Sequence, residues 1–150
     1  MKIIKYIALI IIVGLAIFIW FSSRATGNDL VTVTIGGRDY RALLADQPAE
    51  WERGLSGQTK HQMMLFVFPD KQLRTFWMKD MNFPIDIVWL DDTAVVGVER
   101  ASLIPDGIPQ VAWPRYSSAV PINQVLEIPI DLKQNLGLNI ENGDKINIKL

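Results

Sequence analysis

From Val31 onward the apolar residues come in short runs cut by turn-forming residues, and no run is long enough for a long crossover helix. Val31, Val33 and Ile35 alternate with Thr32 and Thr34, the two-residue period of a half-buried strand. Gly36-Gly37 follows as a hairpin turn, because the tight hairpin turns need φ > 0 and glycine adopts it at little cost. Residues 40–44 return as the second strand. Asp46 is the expected cap of a short helix that has Pro48 in its first turn and runs through Trp51 toward Gly54. Strands are then expected over 63–68, 73–79, 85–90 and 94–99, the last two joined as a hairpin at Asp91-Asp92. Residues 103–121 contain four prolines and read as a long irregular loop, and a loop of that length in a compact domain is usually functional or mobile. A strand over 124–128 leads to a second helix, capped by Asp131 and ended by Gly137. The final strand points Ile146, Ile148 and Leu150 inward. The sum is a mainly β (α+β) domain: a compact small β-barrel or closed antiparallel sheet with two short helices.

The N-terminus differs in kind. Lys2 and Lys5 precede an uncharged apolar run from Tyr6 to Phe21, and Arg24 follows it. The run approaches the ~20 residues that a transmembrane helix needs. Lysines ahead of it favour a cytoplasmic N-terminus with the remainder exported. A cleavable signal peptide has a shorter apolar core and small residues at its end. Here Trp20-Phe21 stand in that place, which suits an uncleaved anchor better. The expected organisation is an N-terminal membrane anchor or signal segment over 1–24, contacting the membrane through residues 3–21. A linker over 25–28 and one β-rich domain over 29–150 follow. That domain would lie outside the cytoplasm, periplasmic or at the cell surface, or secreted if the segment is cleaved.

Composition excludes several classes of function. There is no cysteine, hence no disulfide framework, thiolate metal site, cysteine nucleophile or lipoprotein acylation site. From Asp29 onward, 12 Lys and Arg stand against 16 Asp and Glu, a net charge of −4. A mildly acidic surface argues against nucleic-acid binding. His61 is the only histidine, expected in an exposed loop, so neither zinc nor a Ser-His-Asp triad is expected. No phosphate loop or dinucleotide fingerprint occurs, and Asp91-Asp92 lacks the twelve-residue calcium-loop pattern. No cofactor or metal is expected.

Met64-Leu65-Phe66-Val67-Phe68, Phe76-Trp77-Met78-Lys79 and Pro84-Ile85-Asp86-Ile87 resemble the core signature of the uncharacterised domain-of-unknown-function family 192. The resemblance covers about residues 47–150, includes Tyr116-Ser117-Ser118, and implies a compact, mostly β fold without implying an activity. The chain departs from that pattern at Gly54-Leu55-Ser56-Gly57-Gln58, where Gly-Leu-Met-Gly-Arg is usual. It departs again at Met63-Met64 in place of Gly-Met and at Asp80-Met81 in place of Asn-Thr. Arg53, Trp77, Lys79, Asp86 and Glu127 fall on positions that match it.

Three of those residues are charges set in apolar strands: Lys79, Asp86 and Glu127. Such a charge must be paired, solvated or employed, since an unpaired buried ion costs several kcal/mol. One reading is structural, with Lys79 paired to Asp86 and Glu127 satisfied by a loop amide. The other gathers Trp77, Lys79, Asp86 and Glu127, with Arg53 near, around one aromatic-walled ligand pocket. If the site were catalytic, Asp86 and Glu127 would be the acid and base of a glycan-processing hydrolase. In the long loop, Trp113, Arg115 and Tyr116 are residue types that anchor protein interfaces. The reading is a membrane-tethered extracytoplasmic binding or accessory domain rather than an enzyme. Its partner would be an envelope glycan, a small molecule or a segment of an envelope protein. A purely structural envelope protein is the remaining alternative.

Overall fold

The computed structural model describes residues 29–149. The expected anchor over 1–24, the linker over 25–28 and Leu150 lie outside the described residues. Among the described residues no helix is long and apolar enough to cross a membrane.

Among the described residues, nine strands and two α-helices follow in order: β1 (Leu30–Ile35), β2 (Arg38–Ala45), α1 (Pro48–Arg53), β3 (Met63–Gln72), β4 (Thr75–Phe76), β5 (Ile85–Asp91), β6 (Ala94–Ala101), β7 (Tyr116–Ser117), β8 (Ile122–Pro129), α2 (Ile130–Leu136) and β9 (Ile146–Lys149). Seven strands form one sheet in the order β6-β5-β8-β3-β2-β1-β9, while β4 and β7 make a small ladder of their own. The large sheet curls into a half-barrel. Its edges approach each other where Ala94 bridges Lys145, with Val95 N donating to Asp144 O (2.9 Å) and Ile146 N to Thr93 O (2.8 Å). The mainly β architecture with two short helices agrees with the sequence reading.

One pairing departs from the expected antiparallel pattern. β2 and β3 run parallel, joined by the segment that carries α1, while the other ladders of the sheet are antiparallel. A parallel neighbour requires a crossover, and here six helical residues and the loop after them suffice. That crossover lays α1 against the outside of the sheet.

Strand alternation therefore feeds two cores. Val31, Val33, Leu65, Val88, Leu126 and Ile128 point into the curl, closed by Leu132 and Leu136 of α2. Met64, Phe66, Ile87, Trp89 and Val125 point outward. This outer layer is covered by Leu55 and Trp51 from the crossover, Phe76, Met78 and Phe83 from β4 and the chain after it, and Tyr116.

Local chemistry explains where the sequence reading shifts. The α1 cap is supplied by Gln47 and Glu50 rather than Asp46. The Glu50 carboxylate accepts from the backbone N–H groups of Asp46 (3.0 Å) and Gln47 (3.2 Å), the return bond of a capping box. α2 begins two residues earlier than expected, with Pro129 at the cap position, so Asp131 sits in its first turn and its carboxylate meets His61 Nδ1 at 2.5 Å. The expected strand over 73–79 is ordered as a ladder only at Thr75–Phe76. Beyond Phe76 the chain leaves the ladder and reaches a turn in which Asp80 has φ of 53°, a conformation that aspartate and asparagine tolerate better than most residues.

Candidate functional site

Glu127 is the unusual residue of the outer layer. On β8 it stands opposite Met64 of β3 on one side and Ile87 of β5 on the other. It is only 5% exposed, and its Oε2 has no hydrogen-bond partner. Burial among apolar neighbours penalises the charged form and pushes its pKa up to about 8. At neutral pH the side chain is therefore mainly a carboxylic acid, able both to donate and to accept a hydrogen bond.

Glu127 forms part of the lining of a cavity of about 300 Å³ between the outer face of the sheet and the crossover. Five aromatic rings contribute to its wall, alongside the charged side chains of Glu52, Arg53 and Arg74. Trp51 lies 5.2 Å from Phe68, and Phe76 meets Phe66 edge-on at 5.0 Å between centroids. Trp51 also holds α1 in place, its indole N–H donating to the Ala45 carbonyl at 3.0 Å. Gly54, directly after the helix, has φ of 52° and packs against the floor. A Cβ there would come within 3.3 Å of Phe66 Cζ and 3.9 Å of Glu127 Oε2. Glycine thus serves both the backbone turn and the close approach.

The loop over 54–58 is joined to the turn over 79–82 by three hydrogen bonds. Ser56 Oγ donates to the Lys79 carbonyl (2.7 Å), Gly57 N to the Asp80 carbonyl (2.8 Å), and Asn82 Nδ2 to the Gln58 carbonyl (2.9 Å). Ser56, Gln58 and Asp80 are among the positions where the sequence departs from the resembling pattern, so the departures gather along this seam.

Of the expected pocket residues, the cavity brings together Arg53, Trp77 and Glu127. Lys79 is exposed and lies outside the lining, its ammonium 5.7 Å from the Trp77 ring centroid. Asp86 belongs to the other face of the sheet. It is 2% exposed, contacts Lys133 Nζ of α2 through Oδ2, and has Arg100 Nε 3.3 Å from Oδ1. The expected four-residue pocket is thus corrected in two members, and the expected Lys79–Asp86 pair is replaced by Lys133–Asp86. Glu127 Oε2 likewise lacks the loop amide that the structural reading assigned to the side chain. An acid–base pair of Asp86 and Glu127 has no common space in which to hold a substrate, because the two carboxyls open on opposite faces.

Two of the three interface candidates meet Trp77. The Arg115 guanidinium stacks over its ring at 4.1 Å, and the Trp113 ring lies 5.9 Å away, its own N–H donating to the Ile108 carbonyl (2.9 Å). The long loop therefore forms a rim beside the cavity. Tyr116 has a different place: it pairs with Phe76 across the β4–β7 ladder and joins the outer core.

Sequence reasoning missed Arg74, Ser56, Trp51 and Phe76 as cavity lining, and Lys133 and Arg100 as the partners of Asp86. Arg74 offered one signal, a cation two residues ahead of the Phe76-Trp77 pair. Its guanidinium lies 4.1 Å over Phe68, Nη2 bonds the Asp70 carboxylate at 2.5 Å, and its buried Nε has no partner. Lys133 offered none, since only the docking of α2 brings it to Asp86. Among the described residues no group of three or more His, Asp and Glu side chains is placed to hold a metal ion.

A curled half-barrel with a crossover roof and an aromatic cavity around a buried carboxyl defines the class of domain. The family described as Uncharacterized ACR, COG1430 (DUF192) matches residues 31–148, and the chain belongs to it. The match begins earlier than the resemblance in the sequence reaches, taking in the first hairpin. A solved protein of unknown function from Novosphingobium aromaticivorans DSM 12444 is similar at 30% identity, with a TM-score of 0.61 over 79% of this chain and 83% of that one. A protein from Sinorhizobium meliloti 1021, provisionally labelled a transcription regulator, shares the fold at 24% identity, with a TM-score of 0.62 over 79% of this chain and 92% of that one. None of the curated proteins matches the chain.

Proposed function

We propose that this chain is a tethered binding domain working outside the cytoplasm, with the cavity between α1 and the sheet as its ligand site. The observation that carries the reading is the unpartnered Oε2 of Glu127, buried against an aromatic-walled space of about 300 Å³. A buried polar atom left unmatched costs roughly 1–3 kcal/mol, and a ligand that supplies the missing bond recovers it. The apolar run over 6–21, framed by Lys2, Lys5 and Arg24, supports the tether and the extracytoplasmic address.

The test is thermal unfolding of the full chain with a panel of envelope sugars, carboxylic acids, amines and peptides. A ligand at a hundred times its dissociation constant adds about 2.7 kcal/mol, a shift of several degrees. A hit that disappears in Thr75→Trp, which fills the cavity from its lining, supports the reading. Hits that survive that substitution, or silence across the panel, overturn it.

A second reading makes the rim a docking surface for a protein segment. It is favoured by Val111, 94% exposed at the loop's short 3₁₀ turn, with Ile108 and Leu103 also exposed. Retention of a partner by the native chain and its loss in Val111→Asp would support it.

A further inference from the structure

The long loop leaves Leu103, Ile108 and Val111 exposed. Every residue from Pro105 to Ala112 is open to solvent, and between Leu103 and Pro114 only Asp106 carries a charge. Apolar side chains gathered on an exposed loop mark a site of contact. The backbone there is closed on itself. Ile108 N donates to the Pro105 carbonyl (3.5 Å), Ala112 N to that of Pro109 (2.9 Å) and Trp113 N to that of Gln110 (3.2 Å). The Trp113 indole N–H takes up the Ile108 carbonyl (2.9 Å). Pro105, Pro109 and Pro114 have no N–H to satisfy. A protein segment adding alongside as a strand needs free backbone groups, and here they are engaged. An apolar medium instead requires them to be satisfied beforehand.

Behind this tip the side chains change in order. Trp113 lies 5.9 Å from Trp77, the Arg115 guanidinium stacks on Trp77 at 4.1 Å, and the exposed Lys79 ammonium is 5.7 Å from the same ring. Aliphatic tip, then indoles, then cations is the order of layers at a bilayer surface, where tryptophan takes the interface and Lys and Arg meet anionic headgroups. Chain length fits as well. Residues 22–28 separate the apolar run from Asp29, a reach of at most about 25 Å. A folded unit the size of residues 29–149 is about 35 Å across. Such a tether keeps the loop within reach of the same bilayer at high effective concentration.

We infer that the long loop docks on the membrane to which the chain is tethered. Ile108 and Val111 enter the lipid, Trp77 and Trp113 lie at the interface, and Lys79 and Arg115 face anionic headgroups. This rests on the tether in the reading above, is independent of the cavity's ligand, and assigns the loop to lipid instead of a protein segment. Because Trp77 also lines the cavity, docking holds the cavity beside the headgroups.

The experiment exploits the absence of cysteine. Ala112→Cys gives the full chain a single thiol for a fluorophore, and Arg38→Cys, on the exposed β1–β2 hairpin, gives the control. Each is reconstituted in vesicles of phosphatidylcholine with phosphatidylglycerol, and of phosphatidylcholine alone, with and without lipids brominated in their acyl chains. The expected result is bromolipid quenching severalfold stronger for the Ala112→Cys label than for the control, and stronger in the mixed vesicles. Val111→Asp in the labelled chain should abolish it without moving the melting temperature, since Val111 is almost fully exposed. Lys79→Gln should lower the ratio of docked to free loop about fivefold in mixed vesicles, the share of one basic residue near an anionic surface. Equal quenching at the two positions, or quenching unaltered by Val111→Asp, overturns the docking while leaving the tether standing. A chain that separates from the vesicles on flotation overturns the tether and the docking with it. A label untouched by bromolipid but shielded from aqueous iodide when envelope proteins are added assigns the loop to a protein partner and overturns the lipid assignment.

Discussion

Asp86 and Glu127 sit on paired strands one register step apart and point to opposite sides of the sheet, since Asp86 lies across from Ile128 and Ile87 lies across from Glu127. Residues directly opposite in a ladder share a face, so one carboxyl enters the curl and the other enters the outer cavity. Their chemistry differs accordingly. Asp86 is matched by Lys133 and Arg100, whereas Glu127 Oε2 has no partner and burial drives the carboxyl toward its neutral form.

Asp86→Asn should behave as a structural lesion. It leaves the half-buried Lys133 ammonium without its countercharge, and breaking a buried pair on one side costs roughly 3–5 kcal/mol, less here because Lys133 and Arg100 reach solvent. We expect a loss of about 2–3 kcal/mol in chemical denaturation on that basis. Replacing Lys133 by Met in the same chain should restore part of it. An unchanged denaturation midpoint in Asp86→Asn would show that the pair is not holding α2 to the sheet.

Glu127→Gln should flatten the pH dependence of stability. The folded-state pKa of about 8 lies above the ordinary carboxyl value of 4.5. The stabilisation tied to the protonated form is thus complete below about pH 4.5 and lost as pH rises through about 8. Each tenfold difference in proton affinity between folded and unfolded chain is worth about 1.4 kcal/mol, so the native protein should lose on the order of a few kcal/mol across that window. The glutamine variant should lack this component in melting curves taken from pH 5 to 9. Parallel curves for the two proteins would place the carboxylate in a solvated site.

Gly54→Ala should destabilise the chain by about 1–3 kcal/mol, the usual cost of a side chain in a sparsely allowed backbone region. Its new Cβ also presses on Phe66. Ligand affinity should fall together with stability, because the same residue closes α1 and backs Glu127. Unaltered melting would mean that the turn after α1 relaxes freely.

Trp77→Ala should free the rim. It removes the ring on which Arg115 and Trp113 rest, so limited proteolysis should cut within residues 103–115 several times faster, by loss of contacts worth about 1–2 kcal/mol. Tyr116→Ala should instead lower overall stability, since Tyr116 belongs to the outer core. Equal cleavage rates in Trp77→Ala and the native chain would show that the loop is held by its own prolines.

Much of the architecture is written locally. The alternation at Val31, Val33 and Ile35, the Gly36-Gly37 hairpin, the end of α2 at Gly137 and the facing of Ile146 are all fixed by side chains within a few positions of one another. The cap of α1 is equally local, yet Asp46 is the residue that draws the eye, while Glu50, three residues after Gln47, carries the stronger signal. The site was legible only in part. Periodicity shows which residues of one strand share a face, but only pairing register and curvature show which faces enclose a common space. Residue order alone put two carboxyl side chains, Asp86 and Glu127, into apolar strands. The tertiary structure decided that α2 brings Lys133 to the first and the β2–β3 crossover encloses the second. That division follows from the physics: strand and turn preferences act between neighbours in the chain, whereas the desolvation of a carboxyl depends on groups brought to it from distant segments.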